Sequence, residues 1–511
     1  MLAKVYSSTV IGIEAKEVIV EVDVAGGLPG FSIVGLPDPA VRESINRVKA
    51  AIKNCNFAFP NRKITVNLAP ADIKKQGPSF DLPIALGILA ASNQLQASGL
   101  QDKVICGELS LDGQLRPITG CLPRALALKN NCLRRIMLPK ENCREAAAIK
   151  EIAVLPISNL MEAVSFLKEE IEIRPQRVNT RSLLQEQAFS MLDISDIKGQ
   201  AHVKRGLEVA ASGGHNVLLI GPPGSGKTML AKCLPGILPK IDLNQALEIT
   251  RIHSVCAMLS ANQSLLGQRP FRSPHHTISD VALIGGGGFP RPGEISLAHN
   301  GVLFLDELPE FRRNVLEALR QPLEEGKITI SRASCTVRFP ANFMLIAAMN
   351  PCPCGYFTDP KRQCHCSPLQ IQRYLTKISG PLLDRIDIHL EVPSLNYKEL
   401  TQKPQGEDSF AIRKRVEKAL AIQRKRYKKD STYANARLKP KQVQKYCQVA
   451  PGARELLKTA IYDLGLSARA YDKVLKLGRT IADLTGEEII NTEHISEAIN
   501  YRCLDRNIWR H

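Results

Sequence analysis

The sequence predicts a multidomain α/β protein with an α+β N-terminal domain, a central α/β core containing a parallel sheet, and a helical C-terminal lid. In the N-terminal part, strand patterns such as residues 17–24 alternate with helical patterns such as residues 81–91. The central part contains short apolar runs, among them residues 217–220, which are typical of buried parallel strands. From residue 396 onward, apolar residues recur at helical spacing, for example over residues 468–484.

The chain length indicates several folding units. A chain of 511 residues is long for one domain. We expect an N-terminal domain at 1–172, a linker of mixed polarity at 173–192, the α/β core at 193–395 and the lid at 396–511. Each of the three folded units is large enough to bury a core of its own.

Charge is the most informative feature of the composition. Lysine and arginine outnumber the acidic residues, which gives a net charge of +18. An excess of this size favours a polyanionic partner, and nucleic acid is favoured over a membrane because no basic amphipathic anchor is evident. A generally basic surface is the alternative.

The sequence also indicates a compartment. It contains no apolar run of the roughly eighteen residues that a membrane span requires, and its first residues lack a signal-peptide pattern. We therefore expect a cytoplasmic protein. Its fourteen cysteines are then expected to be reduced thiols or metal ligands rather than disulfides.

A glycine-rich motif follows the apolar run at 217–220 and precedes a helical pattern. It fits G-x-x-x-x-G-K-[ST] with Gly221, Pro222, Pro223, Gly224, Ser225, Gly226, Lys227 and Thr228. Such a loop holds phosphates on backbone amides, while Lys227 supplies positive charge and Thr228 a hydroxyl for Mg²⁺. The motif predicts an ATP and Mg²⁺ site, with a chance glycine-rich turn as the alternative.

A second motif, at residues 301–307, is an apolar run that ends in two acids. In an enzyme with such a phosphate loop, Asp306 would hold Mg²⁺ and Glu307 would orient and deprotonate the attacking water. Capping of the following helix by these acids is compatible with that role. Together the two motifs predict an ATP hydrolase.

The N-terminal domain resembles the Lon-protease-like domain. Gly77-Pro-Ser79 is similar to the nucleophile motif of that family, and a hairpin pattern follows at residues 107–113. Such a protease needs a lysine to deprotonate its serine, but Pro123 occupies that place and Lys129 lies two helical turns further on. We therefore expect a catalytically inactive domain in which Ser79 is structural.

The core resembles the Mg-chelatase-like branch of the AAA+ ATPases, through residues 193–200 and 212–216. This resemblance implies that Asn350 is the sensor 1 amide that helps place the water. It also implies that Arg385, within residues 379–387, is an arginine finger that reaches the neighbouring subunit's γ-phosphate, and hence that the protein forms a ring. Arg469 matches the sensor 2 arginine, with Arg479 as the second choice.

Two further segments concern the pore of such a ring. Four consecutive glycines at 285–288 predict a projecting loop, which faces the central pore in the family. The paired His275 and His276 before it are interpreted as polar packing near the nucleotide rather than as a metal site. Residues 326–339 predict a β-hairpin similar to the pore hairpin of the minichromosome-maintenance helicases. Its Arg332 and Lys327 are candidate DNA contacts, and a solvated arginine is the alternative.

Four cysteines lie close together directly after Asn350, namely Cys352, Cys354, Cys364 and Cys366. Two thiol pairs separated by a short polar loop favour a structural zinc site over free cysteines. The C-x-C spacing is tighter than the usual C-x₂-C, and His365 could replace one thiol.

The resemblance extends over essentially the whole chain, to the YifB/ComM family of Mg-chelatase-like ATPases. It implies an ATP-driven hexameric DNA motor that promotes branch migration when incoming single-stranded DNA is integrated in natural transformation and homologous recombination. The implied partners are single-stranded and branched DNA, identical subunits and recombination proteins. The alternatives are a motor that remodels a protein partner or inserts metal into a porphyrin, an ATP-dependent protease, and a DNA-binding scaffold without activity.

Overall fold

The computed structural model describes residues 1–129, 133–180, 192–260, 263–332, 335–357, 359, 361–394, 406–428, 434–464 and 467–502. Most of the predicted linker at 173–192, the tip of the predicted hairpin at 333–334 and the predicted start of the lid at 396 lie outside these residues.

The N-terminal part forms a seven-stranded sheet in the order β3-β4-β2-β1-β5-β8-β9, with β6 and β7 paired in a separate hairpin. Its strands are β1 (Leu2–Ile11), β2 (Glu14–Ala25), β3 (Gly30–Val34), β4 (Lys63–Ala69), β5 (Val104–Ile105), β6 (Glu108–Leu109), β7 (Leu115–Arg116), β8 (Arg135–Pro139) and β9 (Ala153–Ile157). Its helices are α1 (Pro39–Asn54), α2 (Asp81–Ala91), α3 (Cys121–Leu128), α4 (Cys143–Ala146) and α5 (Leu160–Leu167).

Helix α2 forms the centre of this N-terminal core. Every residue from Asp81 to Ala91 is buried, and the helix packs on β1 and β2. Alternate residues of β2 are buried against it, as the strand period requires. Arg47 neutralises the buried Asp81 carboxylate through a 2.7 Å hydrogen bond from its Nε.

The central part contains a five-stranded sheet in the order β11-β14-β17-β10-β18, and every pair in it is parallel. The strands of this part are β10 (Val217–Ile220), β11 (Phe271–Arg272), β12 (Gly285–Gly286), β13 (Arg291–Pro292), β14 (Val302–Leu305), β15 (Lys327–Arg332), β16 (Cys335–Pro340), β17 (Met344–Met349) and β18 (Ile388–Glu391). The helices are α6 (Ala201–Gly213), α7 (Lys227–Ile237), α8 (Leu243–Val255), α9 (Asp280–Ile284), α10 (Glu294–Leu297), α11 (Arg313–Ala318), α12 (Arg320–Glu325), α13 (Pro368–Leu375) and α14 (Gly380–Leu383).

The C-terminal part is helical, with α15 (Ser409–Arg426), α16 (Pro440–Tyr446), α17 (Pro451–Leu464), α18 (Ala468–Thr485) and α19 (Thr492–Asn500). These helices share one apolar cluster with one face of the central sheet, and this cluster includes Leu219 and Leu390 of the sheet and Val474 of α18. Leu218, which points to the opposite face of β10, joins a different cluster. The predicted α/β fold class, with a parallel sheet and a helical C-terminal part, is confirmed.

The N-terminal part packs directly on the central part. Ala246 and Ile249 of α8 lie in the same apolar cluster as Leu122 and Ala125 of α3. Ile13, in the β1–β2 turn, is buried among apolar residues of the central part. Over the described part of the chain, no helix combines the length and apolar character that crossing a membrane requires.

Candidate functional site

The phosphate loop connects the central strand β10 to helix α7. Gly224 and Gly226 have φ angles of 78° and 89°, in the left-handed region that glycine adopts without strain. A Cβ at Gly221 would lie 2.1 Å from the carbonyl oxygen of Val392, so this position also requires glycine. The loop therefore presents its amides at the N-terminus of an eleven-residue helix, where phosphate binds favourably.

Lys227 is held inside this loop. Its Nζ donates to the carbonyl oxygens of Gly221 and Pro222, at 2.8 and 2.9 Å, and to Oδ1 of Asn350 at 3.1 Å. Burial lowers the pKa of Lys227, and the nearby Asp306 and Glu307 carboxylates oppose this shift. The structure thus brings the predicted sensor amide into contact with the phosphate-binding lysine.

Thr228 and Asp306 meet at the carboxyl ends of β10 and β14. The Thr228 hydroxyl donates to Oδ2 of Asp306 at 2.8 Å, and the backbone amide of Glu307 donates to Oδ1 at 3.0 Å. A hydroxyl and a carboxylate at this distance are suited to one Mg²⁺ ion, which takes oxygen ligands. These two predicted magnesium ligands are therefore neighbours.

Glu307 lies at the rim of the site. Its backbone adopts a left-handed conformation, with φ of 52°, and its side chain is 58 % exposed. Glu307 precedes a short helical turn, but its side chain makes no capping hydrogen bond there. The carboxylate instead faces His276, whose Nδ1 lies 3.4 Å from its Oε2.

The paired histidines lie near these catalytic candidates. The His275 and His276 rings are tilted against each other by 34° with centroids 4.1 Å apart, and the His276 and Phe311 rings are in an edge-to-face arrangement with centroids 6.4 Å apart. His276 can therefore hold the Glu307 carboxylate in one direction. Sequence reasoning assigned these histidines to polar packing and missed this contact, because thirty residues of chain separate His276 from Glu307.

Gln200 is a second residue that sequence reasoning missed. Its Nε2 donates to the carbonyl oxygen of Ser225 at 2.9 Å and to that of Pro393 at 3.3 Å. Among the described residues, the buried Oε1 of Gln200 and the buried Oγ of Ser225 have no hydrogen-bond partner. Unpaired buried polar atoms are rare, so two of them beside the phosphate loop indicate a place where a ligand binds. The only signal in the sequence was the position of Gln200 just before helix α6.

Tyr374 lies next to the predicted sensor residue Asn350. Its hydroxyl contacts the backbone amide of Asn350, and burial, followed by the nearby Glu310 carboxylate, raises the pKa of Tyr374 to about 12. The tyrosine therefore stays neutral beside Asn350.

In the described part of the chain, Arg385 and Arg469 each bond to groups outside the phosphate loop. Arg385 donates to the carboxylate of Glu324 and to the carbonyl of Pro381, and its buried Nε has no partner among the described residues. Arg469 is 68 % exposed and pairs with Asp384 at 3.2 Å. Within one chain, neither arginine completes the site around Lys227.

Arg479, the second choice for sensor 2, has a structural place. Its side chain is 1 % exposed. Its Nε donates to Asp483 at 3.1 Å, and its other nitrogens donate to the backbone carbonyls of Glu487 and Glu488. These bonds tie helix α18 to the turn that follows it.

The four cysteine sulfurs form one cluster. Cys352, Cys354, Cys364 and Cys366 have Sγ atoms within 4.8 Å of one another, and the three closest pairs are 3.3 to 3.7 Å apart. A tetrahedron of thiolates at about 2.3 Å from zinc has edges of about 3.8 Å, so the donor set fits that metal. His365 is exposed and is not part of the cluster.

The segment that carries these four cysteines, called the cysteine loop, lies directly on the phosphate loop. Gly355, within the cysteine loop, donates its amide to Sγ of Cys352 at 3.2 Å. A Cβ at Gly355 would lie 2.6 Å from Cδ of Pro223 and 3.8 Å from Cγ of Asn350. The cluster therefore braces both a residue of the phosphate loop and the sensor.

The predicted hairpin forms, as β15 paired with β16 in an antiparallel register from Lys327 and Pro340 to Arg332 and Cys335. Arg332 is exposed at the end of β15. Lys327 lies at the base of the hairpin, about half exposed, with its Nζ 3.8 Å from Glu325. The two candidate DNA contacts therefore occupy opposite ends of one strand.

Ser79 is buried away from any lysine contact. Its Oγ accepts a 3.2 Å hydrogen bond from Nη2 of Arg124, and Lys129 instead pairs with Glu151 at 2.8 Å. An arginine cannot act as a general base, because its guanidinium stays protonated in proteins. The arrangement around Ser79 is therefore unsuited to activating a serine nucleophile.

Three family descriptions match separate parts of the chain. Magnesium chelatase subunit ChlI matches residues 193–400, a description of subunit ChlI of Mg-chelatase matches 20–142, and the ChlI C-terminal description matches 406–502.

Full-length relatives are also similar. The chain is 46 % identical over 508 residues to competence protein ComM of Haemophilus influenzae, covering 99 % of this chain and 98 % of the relative. It is 44 % identical over 510 residues to the YifB protein of Escherichia coli, with the same two coverages. A more distant similarity, 27 % identity over 167 residues, relates 29 % of this chain to 20 % of the Lon protease of Rhizobium meliloti.

Proposed function

We propose that this chain, which belongs to the YifB/ComM family of Mg-chelatase-like AAA+ ATPases, hydrolyses ATP and uses the energy to move DNA. The observation that carries the proposal is the meeting of Lys227, Thr228, Asp306 and Asn350 at one end of the parallel sheet. Four side chains from three strands and the following loops converge there, as phosphoryl transfer requires.

Each side chain has a role in this reaction. Lys227 would exchange its carbonyl contacts for phosphate oxygens, while Thr228 and Asp306 would hold Mg²⁺, which would neutralise the charge that develops on the phosphates. Glu307 accepts the proton of the attacking water, and His276 keeps its carboxylate oriented. Asn350 positions the water against the γ-phosphate.

The two arginines support action as a ring, for which we propose a homohexamer. Arg385 is bonded to Glu324, Arg469 is bonded to Asp384, and in the described part of the chain neither is hydrogen-bonded to the phosphate loop; each guanidinium group would leave its carboxylate to reach a neighbouring subunit's nucleotide. A planar cation at that position stabilises charge on the transferring phosphoryl group.

DNA is the proposed substrate of movement. A net charge of +18 and the exposed Arg332 favour contacts with phosphates that do not depend on sequence. The Haemophilus relative is named a competence protein. We therefore propose that this chain helps to integrate incoming single-stranded DNA, together with recombination proteins in the cytoplasm. A motor acting on a protein or on porphyrin metallation is the competing function.

We also propose one structural zinc ion on the four cysteines. Its role would be to fix the cysteine loop against Pro223 and Asn350, because the described residues between β17 and α13 form no helix or strand.

The decisive experiment measures ATP hydrolysis with no DNA, with single-stranded DNA and with forked DNA, at low and moderate salt. Strong stimulation that weakens with salt is the expected result, because phosphate contacts release counterions. ATP turnover that DNA leaves unchanged would contradict the DNA motor and favour the protein-remodelling or chelatase function.

A mixing experiment tests the ring. Lys227→Ala and Arg385→Ala variants are each expected to be inactive alone, and mixtures should regain hydrolysis, because a mixed interface joins an intact loop to an intact finger. Mixtures that stay inactive, although the two variants assemble together, would contradict a finger acting between subunits.

A further inference from the structure

An exposed surface lies where the N-terminal domain meets the two hairpins of the central part. We call it the hairpin face and define it as Lys74, Phe289 and Arg332. Nζ of Lys74 lies 4.5 Å from the centroid of the Phe289 ring, within cation–π distance. Phe289 is 38 % exposed, and Lys74 and Arg332 are also exposed.

The second basic residue lies over the glycine hairpin, which consists of β12 and β13. A Cβ at Gly286 would be 3.5 Å from Nη2 of Arg332, so the guanidinium group lies against that glycine. Phe289 follows three residues later, in the turn between the two short strands. The Phe289 ring therefore has the Lys74 ammonium group over it, and Arg332 lies on the same glycine hairpin.

Apolar packing fixes the N-terminal domain beside these hairpins. A Cβ at Gly12 would lie 2.3 Å from Cγ1 of Val337, on β16. The adjacent Ile13 is 3 % exposed and shares a cluster with Ile330 and Phe339 of the same hairpin. The β1–β2 turn thus lies on the hairpin that carries Arg332. This packing holds the N-terminal domain, and Lys74 with it, beside that hairpin.

We propose that the hairpin face is a binding site for single-stranded DNA to which the N-terminal domain contributes Lys74, with Phe289 stacking on a base. This inference rests on the proposed DNA motor and extends its binding site to a domain that the motor motifs do not include. A partly exposed aromatic ring with one cation over it and a second cation on the same hairpin is suited to binding bases and phosphates without reading sequence. In duplex DNA the bases are already stacked on each other, so the ring favours a single strand.

The experiment measures binding of a fluorescent oligothymidylate to the full chain by anisotropy over a series of salt concentrations. Lys74→Gln should weaken binding and reduce the slope of log K against log salt by about 0.7, the value for one phosphate contact on a single strand. Lys74→Arg should restore both. Phe289→Ala should weaken binding by about 5- to 150-fold with little change in slope, because stacking releases no counterion.

Lys49 offers a matched control, since its Nζ lies 5.8 Å from the Phe59 ring within the same domain. Lys49→Gln should leave affinity and slope unchanged. A second measurement needs no substitution: the oligonucleotide should protect Lys74, and not Lys49, from acetylation of the wild-type chain.

The outcomes separate this inference from the one beneath it. If wild-type protein binds no DNA, the proposed motor fails and the inference fails with it. If wild-type protein binds DNA but Lys74 is unprotected and both variants bind as wild type does, only the hairpin face is refuted. If Lys74→Gln lowers the unfolding midpoint but leaves affinity and slope unchanged, the contact between Lys74 and Phe289 serves only domain packing. That result would also refute the proposed DNA site.

Discussion

Gly355→Ala tests whether the cysteine loop positions the phosphate loop. Gly355 has φ of 86°, and an added Cβ would lie 2.6 Å from Cδ of Pro223. The left-handed conformation costs an ordinary residue about 1 to 2 kcal/mol. The overlap adds about 1 to 3 kcal/mol, because carbon atoms prefer a separation of about 3.5 to 4.0 Å and either Pro223 or the cysteine loop must move.

Gly486 offers a matched control for the backbone term. It has φ of 85° at the end of α18, and a Cβ there would meet no atom within 4 Å. Gly486→Ala should therefore lower the free energy of unfolding by the conformational term alone. Gly355→Ala should lower the free energy of unfolding by more than Gly486→Ala does. The displacement of Pro223 should also lower kcat/KM for ATP by about 5- to 150-fold.

The assay pairs ATP turnover with thermal unfolding and zinc content for both variants. If Gly355→Ala and Gly486→Ala show the same kcat/KM, the packing of the cysteine loop on Pro223 has no influence on nucleotide binding. That result would refute the coupling, even if Gly355→Ala were the less stable protein.

The remaining predictions concern the base, the metal and acid stability. Glu307→Gln should keep ATP binding and reduce turnover by about 100-fold or more. Glu310→Gln, a control three residues further on, should keep both ATP binding and turnover; retained turnover in Glu307→Gln would contradict the role of Glu307 as the base. The purified chain should contain about one equivalent of zinc, and less than about half an equivalent would count against the site. Removal of that zinc by a chelator, followed by return to buffer containing Mg²⁺, should leave ATP turnover reduced. Burial holds the pKa of His389 well below its ordinary value, so the folded state binds fewer protons there and stability should fall as the pH drops below about 6.5. Denaturant titrations of wild type and His389→Gln should differ by up to about 1.4 kcal/mol per pH unit in that range, and equal slopes would contradict this account.

Several features of the chain were determined by residues close together in the sequence. The parallel strand β10 and the phosphate loop could be predicted because the apolar run, the glycines and the helical pattern are contiguous, and local conformation follows from them. Helix α2 has the bounds expected from its uninterrupted apolar pattern. The α/β fold class followed from the same local periodicities.

Tertiary structure alone decided which distant side chains meet. His276 beside Glu307, Gln200 beside Ser225, and Gly355 against Pro223 each join segments separated by at least twenty-five residues. Nothing in the local pattern of these residues specifies their partners, because such contacts depend on the order of strands in the sheet and on how loops pack at its edge. The same holds for Lys74 and Phe289, which belong to different parts of the chain and meet where the N-terminal part packs on the central part.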